Sequence, residues 1–152
     1  MKWSTLALLL VLAAPSLAQP LVAADLPAVQ ARAKAGMALA QFDLGRMYRH
    51  GIGLPRDSAA AVRWIGSAAE AGHAPAMFTL YTMMAAGEGT RTDEAGARAW
   101  LERAAALDDP QALQELALHL QTGTALYERD PERAARLLAM LAHALQHTPH
   151  AD

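Results

Sequence analysis

No cysteine occurs at any of the 152 positions of this chain. Disulfides are therefore excluded, and stability has to come from packing alone. The chain also lacks a dominant charge: 13 Lys and Arg stand against 15 Asp and Glu, a net −2 with His neutral. Without residues 1–18, which carry only Lys2, the balance becomes −3. That is too mild and too mixed to imply nucleic acid or an acidic membrane surface as a target. No apolar run is long enough to span a membrane. The nearest to one, Leu6–Ala14, follows Lys2 and precedes Ser16-Leu17-Ala18, a small-x-small cleavage pattern before Gln19. This layout predicts a signal peptide over residues 1–18. No Cys follows the cleavage site, so a lipid anchor is not indicated. The expectation is export to the periplasm or beyond after cleavage near Ala18, with no stable membrane insertion afterwards.

Catalytic signatures are missing as well. Ser67 follows Gly66 but lacks the Gly-x-Ser-x-Gly elbow, and Ser58 sits at a helix start. Gly51-x-Gly53 and Gly87-x-Gly89 have no third glycine and link two helices, which does not make a phosphate cradle. Asp57, Asp93, Asp109 and Asp130 are scattered caps, with no apolar cluster placed to raise a carboxyl pKa for acid–base work. Neither an enzyme nor a cofactor is expected. His143 and His147 at i, i+4, with His150 three residues later, form the one pattern that resembles a metal site. Ala144 follows His143 where a His-Glu-x-x-His protease needs an acid. No carboxylate is placed to support the imidazoles, so a solvated tail is expected and metal binding stays an alternative. His50, His73 and His119 are single and scattered.

What the chain does have is a repeat. Ala38–His73 laid over Ala74–Asp109 gives 13 identities in 36 positions without a gap, among them Phe42/Phe78, Leu44/Leu80, Gly51/Gly87, Asp57/Asp93 and Trp64/Trp100. A period of this length predicts a solenoid of small units, none able to bury its apolar face alone. Ala40, Leu44, Met47 and Tyr48 share one helical face, as do Ala76, Leu80, Met83 and Met84. Glycines then break the chain, and Asp57 or Asp93 can cap a second helix. Its stripe is Ala61, Trp64, Ile65, Ala68, Ala69, matched by Ala97, Trp100, Leu101, Ala104, Ala105. Each Trp is expected to fill the gap between units. Met83 and Met84 belong to the core stripe, and Met77 is the surface methionine.

A third unit keeps the offset at Ala112, Leu116, Leu120 and Gly123, then gains one residue before Asp130. Its second helix starts at Asp130-Pro131-Glu132 and carries Ala134, Leu137, Leu138, Leu141 and Ala142. Asp25-Leu26-Pro27 begins a short helix that serves as an N-terminal cap. The expected organisation is a signal peptide (1–18), a capping helix (19–37), repeats at 38–73 and 74–109, a degenerate repeat at 110–147 and a polar tail (148–152). The fold class is all-α, an α/α solenoid of antiparallel helix pairs.

Ala40-x-x-x-Leu44-Gly45-x-Met47-Tyr48-x-x-Gly51-x-Gly53-x-Pro55-x-Asp57, continuing to Ala61-x-x-Trp64-x-x-x-Ala68-Ala69-x-x-Gly72, resembles the Sel1-like repeat, a relative of the tetratricopeptide repeat. Departures are Tyr81 and Ala117 at the Gly45 position, Arg91 for Pro55, Asp108 for Gly72, and a third unit without Trp or Gly-x-Gly. The resemblance implies an adaptor for protein complexes, often in bacterial envelopes, that binds a protein or peptide partner. A periplasmic inhibitor or immunity-type protein against a secreted toxin is the alternative it also allows. In tetratricopeptide-like stacks the first helix of each unit lines the concave face. On this chain's first helices, Phe42, Arg46 and Arg49 lie opposite the apolar stripe at ~100° per residue. Phe78 and Thr82 repeat the placement, and Gln114, Leu118 and Gln121 extend it. Phe42, Arg46, Arg49, Phe78, Thr82, Gln114 and Gln121 are thus the candidate partner-binding residues. For the Phe pair the expected role is packing between adjacent first helices, with an anchor for a partner as the alternative; nothing in the repeat register requires a charge at Arg46 or Arg49, where a solvated face is the alternative.

Overall fold

The structure, a computed structural model, describes residues 26–146. Residues 1–25, where a signal peptide is expected over 1–18, and residues 147–152, with His147 and His150, lie outside the described residues. Seven helices and no strand occur among them: α1 (Leu26–Lys34), α2 (Ala38–His50), α3 (Ser58–Glu70), α4 (Ala74–Ala86), α5 (Glu94–Ala106), α6 (Pro110–Thr122) and α7 (Pro131–Gln146).

Local chemistry sets their ends. Gly51 and Gly87 take left-handed φ values of 70° and 68°, ending α2 and α4 and turning the chain back. Asp57, Asp93 and Asp130 each accept a hydrogen bond from the backbone N–H three residues on, which satisfies a donor that the helix start would leave open. The backbone N–H of each of these aspartates donates to the end of the preceding helix, at the carbonyls of Tyr48, Met84 and Leu120. One loop geometry therefore serves all three pairs. The extra residue of the third is absorbed by a turn in which Thr124 and Tyr127 exchange backbone hydrogen bonds.

Packing runs in chain order, with α2 against α3, α4 against α5 and α6 against α7, while α3·α4 and α5·α6 join the pairs. Tyr81 of α4 reaches Glu115 and His119 of α6, and Glu102 of α5 pairs with Arg133 of α7. First helices thus lie beside first helices and second beside second, in two layers. The main buried cluster runs from α3 to α7, and a smaller one joins Val29 and Ala33 of α1 to Ala40, Leu44 and Met47 of α2. Gly45 makes the first pair tight: a Cβ there would lie 2.5 Å from Ile65 Cγ1. At the same register Tyr81 is buried, but it points its hydroxyl to α6.

Two expectations need correction. Met77 is not a surface residue; it is 2% exposed and part of the main cluster, because the buried stripe of α4 is wider than that of α2. The tryptophans do not disappear into the gaps between units. Trp64 and Trp100 are half-buried, each edging a cluster, and Arg103 lies 4.3 Å over the Trp100 ring.

Candidate functional site

Seven residues were singled out on the first helices, and the structure sorts them into two groups. Arg49 is spent inside the protein. Its guanidinium grips Glu88 of the next unit's turn in a bidentate pair, Nε at 3.0 Å and a terminal nitrogen at 2.7 Å from Oε2. The pair is mostly screened from solvent, with Arg49 24% exposed. These bonds hold the Glu88 carboxyl below its ordinary pKa despite partial burial, and Arg56 at 3.6 Å adds to them. Phe42 and Phe78 are half-buried against the main cluster. Phe42 stacks with His73 at 4.8 Å between ring centroids, and Phe78 with Tyr81 at 5.8 Å. Thr82 is partly buried and its hydroxyl donates to the Thr79 carbonyl.

Arg46, Gln114 and Gln121 remain exposed. Arg46 rests its guanidinium over Phe42, 5.7 Å from the ring centroid, which steadies the charge while leaving its donors outward. Leu118, at the register position of Arg46 and Thr82, is 53% exposed. A notch of about 60 Å³ between Asp43, Arg46, Met47 and Ile52 lies beside the cation.

Register comparison missed a polar network between the second and third units. The Tyr81 hydroxyl donates to Glu115 Oε1 at 3.2 Å and lies 2.9 Å from His119 Nε2, while His119 Nδ1 is 3.1 Å from the Thr124 hydroxyl. Burial, then the Glu115 charge, push the Tyr81 pKa far up, so the phenol stays protonated and locks α4 to α6. The signal was there: His119 occupies the position held by Met47 and Met83. Tyr127 lies next to it, its pKa pushed up to about 12 chiefly by burial, with Arg98 4.7 Å over its ring.

A cleft of about 690 Å³ is lined by the 124–133 segment with Arg98 and Leu120. Its three guanidiniums are already used, Arg98 on the Leu126 carbonyl, Arg129 on the Gln121 carbonyl and Arg133 on Glu102. They clasp the loop. His143, the one tail histidine described, is exposed on α7. Among the described residues no three His, Cys, Asp or Glu converge as a metal site, and no helix is long and apolar enough to cross a membrane.

This stack of capped helix pairs has counterparts. The sequence profile of the Sel1 repeat family matches residues 38–73, 82–109 and 110–144. The chain belongs to the Sel1 repeat family. A Sel1 repeat protein from Oxalobacter formigenes is similar in structure, with a TM-score of 0.67 and 33% identity over 76% of this chain. So is c5321, described as a protective antigen of uropathogenic Escherichia coli with an SLR fold, at TM-score 0.71 and 30% identity over 78% of this chain. The chain spans 47% and 25% of the length of these two proteins. Among curated proteins none matches it. Sel1 repeats generally serve as protein–protein interaction modules.

Proposed function

We propose that this Sel1 repeat chain is an exported adaptor that holds a protein or peptide partner along its first helices. One observation carries the reading: at matched register positions, 46, 82 and 118, the first helices present Arg46, Thr82 and Leu118, and their flanks present Gln114 and Gln121. Among the described residues Arg46 touches only the Phe42 ring through its guanidinium and Leu118 stands 53% exposed, whereas Arg49 and the Phe pair are engaged within the stack. A surface with one cation, amide side chains and one exposed leucine suits recognition of a chain segment, with Leu118 as the apolar anchor. It offers no nucleophile paired with a base. The adaptor and toxin-inhibitor roles share this surface and differ only in the partner.

The test is affinity capture from envelope extract with the mature chain, compared with Arg46→Glu and Leu118→Asp. Both substitutions are at exposed positions and should leave the helical circular dichroism signal intact. A protein retained by the native chain and lost with both variants supports the reading, and its identity decides between adaptor and inhibitor. Equal retention by all three chains moves the site away from the first helices.

A further inference from the structure

The first helices carry a track that is polarised along the stack. Arg46, Thr82 and Leu118 hold one register position on α2, α4 and α6, with Arg46 and Leu118 exposed and Thr82 partly so. Charge divides along the same axis. Residues 26–63 carry six Lys and Arg against two Asp, a net +4. Residues 64–146 carry six Arg against eleven Asp and Glu, a net −5. Beside Leu118, one turn earlier on α6, stands Glu115, whose side chain is 38% exposed. Polar groups along the track are of a kind that bonds a peptide main chain. The Thr82 hydroxyl spends its proton on the Thr79 carbonyl and is left to accept, while the exposed amides of Gln114 and Gln121 both donate and accept. Packed helices lie about 8–10 Å apart, so Arg46 and Leu118, two first helices apart, are separated by about 16–20 Å. An extended chain covers that distance in about five or six positions.

We propose that the segment held on this track is extended and polarised like the track itself. It places an acidic residue on Arg46, an apolar residue five or six positions away on Leu118, and a basic residue beside that one for Glu115. The inference rests on the first-helix reading above and gives that partner a chemistry and a spacing. Complementary charge fixes the two ends, because the cation and the carboxylate stand on different units. An extended chain also leaves its main-chain N–H and C=O groups open to Thr82 and the two glutamines. A helix satisfies most of those groups internally, and it would need about 13 residues for the same reach.

The probe is an end-capped peptide with Asp and Leu separated by five serines and Lys after the Leu, added to the full mature chain. Binding is read by NMR at the Arg46 Nε–H and the Leu118 methyl groups. The expected dissociation constant is about 0.1–1 mM, with both signals moving together. A spacer of two serines reaches only about 10 Å, so one of the two signals should stay still. Lys in place of the peptide's Asp should silence the Arg46 signal and weaken binding about threefold, the share of an exposed ion pair. Ala in place of its Leu should silence the Leu118 signal. No binding at about 5 mM, or both signals moving with the two-serine spacer, would overturn the proposal. So would tighter binding of a helix-forming peptide with twelve residues between Asp and Leu. If capture from extract depends on Arg46 and Leu118 while the spacer makes no difference, the polarised segment falls and the first-helix reading stands. Capture indifferent to both substitutions, with no peptide bound, would overturn both.

Discussion

Removing Arg49 and Glu88 singly and together measures whether the cation belongs to the stack or to a partner. The structure predicts a coupling energy well above that of an ordinary surface pair. Exposed ion pairs yield about 0.2–1 kcal/mol, and breaking a fully buried pair costs about 3–5 kcal/mol. The Arg49–Glu88 pair lies between these, with side chains 24% and 21% exposed and a two-pronged grip at 2.7 and 3.0 Å. Bidentate geometry and partial desolvation place the coupling at about 1–1.5 kcal/mol. Arg56, at 3.6 Å and 67% exposed, should take over little of it. Arg49→Met, Glu88→Gln and the double variant would be unfolded in urea, with the cycle closed on the extrapolated free energies. With a slope of ~1.5 kcal/mol per molar, each single variant should move the midpoint down by roughly 0.7–1 M. Arg49→Met should also leave partner capture through Arg46 and Leu118 unchanged. A coupling below about 0.3 kcal/mol would refute the clasp and return Arg49 to the binding surface.

Four further outcomes are expected. His73 Nδ1 accepts the Ala76 N–H at 3.2 Å, and burial lowers its pKa against the opposing pull of Asp43 and Asp109. The unfolded chain therefore takes up the proton first, and stability should fall as pH drops below about 6.5, a decline that His73→Asp removes in urea titrations between about pH 7 and 5.5. The Glu88 contribution, with a folded pKa below 4.5, should be lost only as pH falls further, through that folded value. Gly89→Ala would place a Cβ 2.2 Å from the Ser58 carbonyl oxygen at φ +71°, whereas Gly36→Ala at φ +85° meets nothing within 4 Å. Denaturation should show about 1 kcal/mol lost at Gly36 and about 2–4 at Gly89, the excess reporting how closely the second unit's turn seats on the first unit. Tyr127→Ala, at a side chain 2% exposed, should cost about 3–4 kcal/mol and melt the third unit first, as amide hydrogen exchange would reveal.

Helices, caps and the pairing of helices could be read from the chain because their causes are local. An apolar period, a glycine beyond the last turn and an aspartate before the next helix act within a few residues. Contacts between units were harder to see. Arg49 finds its partner 39 residues away, in a turn where Glu88 replaces Ile52, so neither residue repeats and register comparison cannot link them. Tyr81, Glu115 and His119 each depart from the register at separate positions. Only the approach of α4 to α6 makes them one network. Burial of Met77 has no signal in the register, because its counterpart Gln41 is polar and uses its amide on the Ala33 carbonyl. Of the candidate site, the exposed members Arg46, Gln114 and Gln121 followed from helical geometry alone, while the engagement of Arg49 and the seating of both phenylalanines depend on neighbouring units.

The two joints between units are fastened by unlike parts, and this bears on how such a gene can change. Tandem repeats in DNA invite recombination that drops a copy in frame, and identical joints would let the shortened protein close up again. Excising residues 74–109 would set the third unit on the first. Arg49 would then face Thr124 in place of Glu88, Tyr127 would meet Val62 in place of Arg98, and Arg133 would find Gly66 in place of Glu102. Glu115 and His119 would approach Gly45, which has no hydroxyl to offer. Each of these polar fasteners would be orphaned in a single event. Divergence at the joints therefore acts as a lock on the order of the described units, since none can be dropped without leaving these partners unmatched.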